Sequence, residues 1–282
     1  IGDCAFQDCT SLTSITIPSS VTQITVMAFK GCSSLTSVTI PSSVNIIGDG
    51  AFHDCSKITG VTIPSSVTSI GRWAFYGCSS LTSVDIPEGV TKIGAYAFRG
   101  CSLTSVDIPS SVTEIGESAF FGCTSLQSVT IPSSVTEIDA RVFIGCTSLT
   151  SVTIPSSVTK IGDGAFRYCS SLTSVDIPSS VRIIGDGAFH DCSLTSVTIP
   201  SSVTKIGSGA FRYCSSLTSV DIPSSVTEIG DGAFRNCTSL TSVTIPSSVT
   251  EVRMDHGMYV FPVNEITTGS ETRLLCKAGI VV

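Results

Sequence analysis

The chain has 282 residues, of which 41% are hydrophobic and only 13% charged, and its formal net charge is −7. That charge is spread without blocks of like sign, which argues against a nucleic-acid footprint and against anchoring on anionic lipid. No apolar run approaches the roughly 18 residues that a membrane-spanning helix needs.

The chain opens on Ile1-Gly2-Asp3, which is neither an initiator Met nor a signal peptide, and so reads as a mature or excised piece. Ile1 to Cys9 begins in mid-repeat. An Ala-Phe pair, Val-Phe at one position, then recurs, with Phe at 6, 29, 52, 75, 98, 120, 143, 166, 189, 211 and 234, a period of 23 that shortens to 22 twice. Eleven ranks follow, and a fixed short period of this kind predicts one continuous solenoid over residues 1–250 rather than ordinary globular domains.

Within a rank, Leu217-Thr218-Ser219-Val220-Asp221-Ile222-Pro223 alternates apolar and polar residues as a half-buried strand does, with Thr218, Ser219 and Asp221 outward. Pro223 has no backbone donor and ends the strand. After the Ser-Ser turn, Val226 and Ile229 point inward again, and Gly230 lets the backbone turn where a side chain would clash. Ala233, Phe234 and Cys237 have the spacing of one helical or 3₁₀ turn. Stacked about 4.8 Å apart, the ranks make a rod or shallow arc roughly 50 Å long.

This 23-residue pattern of spaced Leu, Val and Ile before Pro, then Ile-Gly and Ala-Phe-x-x-Cys, resembles the BspA-type leucine-rich repeats over about residues 1–250. The resemblance implies a leucine-rich-repeat solenoid with a short-stranded parallel sheet, and turns with short helical or 3₁₀ segments on the return side. It also implies a cell-surface or extracellular protein that works in adhesion and host-protein binding. No catalytic residue carries over.

Several ranks depart from the pattern. Cys101-Ser102-Leu103 and Cys192-Ser193-Leu194 each lack one Ser, which shortens the loop without moving the core. Ile24-Thr25 and Ile138-Asp139 stand where other ranks have Ile-Gly. After Thr250 the composition changes, with Met254, Met258 and two strands expected around Asn264 to Ser270, so residues 251–282 read as a C-terminal cap or assembly segment.

Eleven of the 13 cysteines, from Cys9 to Cys237, sit three residues after the repeat's Phe. A column of parallel thiols without local His does not make a tetrahedral metal site, and its Cβ vectors do not converge for disulfides. Buried free thiols are expected, with no metal or other cofactor. Cys4 and Cys276 fall outside the column near opposite ends of the chain, so they are candidates only for a disulfide between molecules placed head to tail.

His53 and His190, one residue after Ala-Phe, read as variable surface residues, and His256 beside Asp255 is too little for acid-base catalysis. No Ser lies beside a plausible base, so an enzyme is not expected. The candidate binding surface is the strand face, an array of Ser-Val-Thr with Thr16 and Thr39 in which Asp85, Asp107, Asp176 and Asp221 replace Thr. It suits other proteins or surface glycans. Ice binding is a remote third reading, because four aspartates spoil a flat uncharged hydroxyl array. A second column pairs Lys92 with Glu114, Glu137 with Lys160 and Lys205 with Glu228, and Asn236-Cys237-Thr238 is a possible N-glycosylation sequon. The alternative to a binding scaffold is a subunit of an extracellular filament, built by head-to-tail contacts that do not close.

Overall fold

The computed structural model describes residues 1–252 and 266–268. It is a succession of short parallel ladders wound around one continuous apolar core. Three-residue strands form the front ladder, as in Ser128–Thr130, which pairs in register with Ser105–Asp107 and Ser151–Thr153. The central Val of such a strand is buried and its two neighbours are exposed. Each strand stops at its Pro, whose carbonyl accepts the N–H of the Val three residues on, as Val226 to Pro223 at 3.0 Å. The second Ser of that turn reaches the preceding rank: Ser157 Oγ donates to the Val135 carbonyl at 2.7 Å.

The return side holds a second parallel ladder of two-residue strands, of which Lys92–Ile93 and Glu114–Ile115 are neighbours. The sequence predicts only a less regular return there. A two-residue strand offers too short an alternation to register as a strand in its own right.

The wall that carries Ala-Phe-x-x-Cys contains no helix among the described residues; it is a stack of turns. Lys30 N–H and Cys32 N–H donate three residues back, to Met27 and Phe29, but the N–H groups between them leave the rank. Met27, Phe29 and Gly31 donate to Asp49, Ala51 and His53 of the next rank at 2.7–2.8 Å. Every second donor therefore forms a lateral bond, and a helix, which keeps all its bonds internal, cannot form. Two residues per rank are also left-handed: the one before Ala and the one before Cys. From the second rank on, glycine takes one of the two sites and a larger residue the other. Met27 (φ 54°) goes with Gly31 in the second rank, whereas Gly164 goes with Tyr168 (φ 64°) in the eighth.

The core is built from the same residues in each rank. Successive Phe rings from Phe6 to Phe234 stack nearly parallel, with centroids 5.1–5.6 Å apart. The cysteine column from Cys32 to Cys237 is free and buried, and each thiol donates to the Phe carbonyl of the preceding rank, as Cys146 Sγ to Phe120 O at 3.3 Å. Burial pushes the thiols of Cys123 and Cys169 up to about 12, so they are protonated and unreactive in the folded chain.

The irregular ranks have structural consequences. The return ladder runs unbroken from Gln23–Ile24 to Glu114–Ile115, stops, and resumes at Glu137–Ile138, where Asp139 replaces the usual Gly. The front ladder is cut in three places: Ser105–Asp107 and Ser196–Thr198, which follow the shortened loops, pair with the rank that follows but not with the one before, and Ser37–Thr39 does not pair with Gly60–Thr62 although the loop between them has full length. The short loops leave the core in place, since Leu103 and Leu194 are fully buried, but they do cost strand pairing. Ser174-Val175-Asp176 forms no strand, although the Thr195 N–H still donates to Thr173 at 3.1 Å.

Asp139→Gly is expected to join the two return ladders and to raise stability by about 1 kcal/mol, the contribution of a recovered backbone hydrogen bond. A urea denaturation midpoint that does not rise in D139G would refute this account of the break.

Candidate functional site

The predicted strand-face residues lie on one exposed side. Thr16, Thr39, Asp85, Asp107, Asp176 and Asp221 are all exposed. Alternation puts them there: the buried Val between each pair sends its neighbours to solvent. Asp107 stands opposite Thr130, and Asp221 lies between Thr198 and Thr244. Asp85 and Asp107 belong to consecutive ranks, at a point where the ladder is interrupted.

Other hydroxyl columns are already used by the fold. Thr36, Thr82 and Thr218 Oγ1 donate to the carbonyl of the equivalent Thr one rank back, at 3.1–3.2 Å. The Ser-Val-Thr and Ser-Val-Asp side chains of the strands are left facing water. Because the front ladder falls into four segments, they do not form one uninterrupted array.

On the return side, Lys92–Glu114 and Lys205–Glu228 form ion pairs at 2.8 and 2.9 Å. Glu137 and Lys160 are in register without an ion pair among the described residues. Cys4 is exposed, with a left-handed backbone, whereas Cys276 and most of the predicted cap lie outside the described residues. Of the strands expected around Asn264 to Ser270, Ile266–Thr268 is described, pairing with Ser242–Ile245. Asn236 is partly exposed in a left-handed turn beside Tyr213. No group of three or more metal-ligating side chains occurs, and no helix is long and apolar enough to cross a membrane, among the described residues.

The column after Ala-Phe differs from the expectation of scattered surface side chains. His53 stacks on Tyr76 at 4.5 Å, Arg99 lies over the Tyr76 and Phe121 rings, and His190 is only 9% exposed. Rank spacing brings these residues, 22 or 23 positions apart, into contact along the solenoid axis. Burial, with Arg167 and Arg212 nearby, holds the His190 imidazole below its usual range and therefore neutral near pH 7. Equal periodicity of the two histidines was the available signal, but sequence does not say that neighbours in the column touch.

The sequence profile described as "BspA type Leucine rich repeat region (6 copies)" matches residues 1–120, 46–172, 91–218 and 136–264. Among solved structures, a leucine-rich repeat protein from Bacteroides ovatus ATCC 8483 is similar at 35% identity and a TM-score of 0.78, over 86% of this chain and 68% of its own. A leucine rich cell surface protein from Faecalibacterium prausnitzii A2-165 is similar at 34% identity and a TM-score of 0.52, over 82% and 78%. A leucine-rich repeat protein from Eubacterium ventriosum ATCC 27560 is similar at 29% identity and a TM-score of 0.62, over 88% and 75%. No curated protein matches the chain.

Proposed function

This chain belongs to the BspA-type leucine-rich-repeat family, and on that premise we propose that it is a non-enzymatic scaffold at the cell surface that binds a partner protein through its strand face. The observation that carries this reading is the use of side chains. The buried positions of each rank hold the fold together, and the second Ser of most Pro-Ser-Ser turns, as Ser157 and Ser180, bonds to the preceding rank. The outward strand positions are left over, exposed and regularly spaced. The description of one relative as a leucine rich cell surface protein supports the location.

The partner's matching surface is basic, since Asp85, Asp107, Asp176 and Asp221 are the only charges at the outward positions beside the central Val among the described residues. Thr occupies the same place in ranks that pair normally, so Asp→Thr at all four positions is compatible with the fold. Four exposed pairs at about 0.4 kcal/mol each make roughly a tenfold change in affinity. Beads coated with the chain are expected to lose about tenfold retention on an extracellular-matrix surface when all four are Thr. Unchanged retention, or a solution mass by light scattering that grows with concentration as a head-to-tail filament requires, would rule the reading out.

A further inference from the structure

A groove of about 640 Å³ runs along the turn face from the seventh rank to the eleventh, well away from the strand face. Its floor is a column of left-handed glycines, Gly164, Gly187, Gly209 and Gly232. In the fourth to seventh ranks the same site before Ala is filled by Trp73, Tyr96, Ser118 and Arg141. The groove therefore opens where glycine moves from the left-handed site before Cys to the one before Ala. On one side stand Arg167, His190, Arg212 and Arg235, and on the other Asp163, Asp186 and Asp231.

The walls are unequal in what they have to spare. Asp163 Oδ1 accepts the Asp186 N–H at 2.9 Å, and Asp186 Oδ1 accepts the Ser208 N–H at 2.8 Å, so one oxygen of each of these two carboxylates is used in joining ranks and the other is left to accept. Opposite them, Arg167 Nε, Arg212 Nε and His190 Nδ1 are buried without a hydrogen-bond partner among the described residues. Arg167 and Arg212 also lie over the rings of Tyr168 and Tyr213, at 4.7 and 5.0 Å, and both rings remain 40% exposed. In a chain with a net charge of −7, this is a concentration of guanidiniums: Arg167 Nη2 donates to Tyr168 Oη at 2.9 Å and Arg212 bonds to the Tyr213 hydroxyl, while both Nε donors lack an acceptor among the described residues.

We propose that this groove binds an acidic polysaccharide, lying along the solenoid axis with its carboxylate or sulfate groups on Arg167, Arg212 and Arg235. Guanidinium pairs with both oxyanions in the same fork geometry. The Asp wall favours a glycan over an acidic peptide, because carboxylates accept bonds from sugar hydroxyls and repel further carboxylate side chains that bring no hydroxyl with them. Exposed Tyr rings beside the guanidiniums provide the apolar contact that a sugar ring uses.

The test uses affinity electrophoresis of the whole chain in gels containing polygalacturonate, dextran sulfate, neutral dextran or poly-glutamate. Retardation by the first or second is expected, with the choice between them identifying carboxylate or sulfate as the anion. Arg167→Gln with Arg212→Gln should raise the apparent Kd at least tenfold, while Lys92→Gln with Lys160→Gln, an equal charge change elsewhere, leaves it unaltered. The four-Asp→Thr strand-face variant should bind the polysaccharide like the parent chain, which keeps this outcome separate from that of the strand face. If the double arginine variant does not fold, Arg235→Gln alone should still weaken binding at least threefold. No retardation by either acidic polymer overturns the proposal, as does equal retardation by neutral dextran, stronger retardation by poly-glutamate, or folded arginine variants that bind normally.

Discussion

Gly94→Ala is expected to lower the stability of the solenoid by about 3 kcal/mol, the upper range for forcing an extra methyl into a packed interior. A Cβ at Gly94 would lie 2.6 Å from Arg72 N and from Gly71 C, and 2.7 Å from Gly71 O. These are backbone atoms of the preceding rank and cannot rotate away, so relief requires the two ranks to separate. That in turn breaks the Gly94 N–H to Ile70 O bond, 2.8 Å long, and the Lys92–Ile93 pairing beside it.

The glycine of Ile-Gly is thus required for close approach and not for a special turn, since its φ is ordinary, unlike that of Gly122 at +69°. Gly122 has nothing within 4 Å of its would-be Cβ, so Gly122→Ala is expected to cost only the left-handed penalty of about 1 kcal/mol. Urea unfolding of both variants decides the matter: equal losses would mean that the inter-rank contact at Gly94 is not what selects glycine.

The second large effect is at Phe143. Its ring stacks between Phe120 and Phe166 at 5.5 and 5.6 Å, and truncation to Ala should cost about 4 kcal/mol. The way unfolding proceeds should also change. In a linear array, stability is a sum of rank and interface contributions, so the weakest interface is where the array divides. The return ladder is already interrupted between Glu114–Ile115 and Glu137–Ile138, and Phe143 belongs to the rank that begins there. F143A is therefore expected to unfold in two steps, with the ranks before and after this junction exchanging their amide hydrogens separately. Phe52→Ala removes an equally buried ring where the return ladder is continuous although the front ladder is not, and should lower the midpoint of a single transition. A single transition for F143A would show that the Phe stack, and not the ladder, carries cooperativity across the junction.

Much of this was legible one rank at a time. The alternation Leu-x-x-Val-x-Ile before Pro assigns Val220 to the core and Asp221 to solvent, and the structure agrees in both respects. The column of cysteines is buried and free, as parallel thiols beside stacked Phe rings require. The two-residue return strands were harder to see, because their ladder exists only through pairing with equivalents 22 or 23 residues away. The turns around Ala-Phe have helical spacing but send alternate donors sideways.

The sequence by itself determined the period, the solenoid, the buried columns and the outward strand face, because each follows from local alternation and from Pro and Gly chemistry repeated in phase. Only the tertiary structure decided which glycines tolerate no side chain, where the ladders break, and where the turn face opens into a groove. Those properties belong to the contact between one rank and the next, and the residues that make it are not neighbours in the chain.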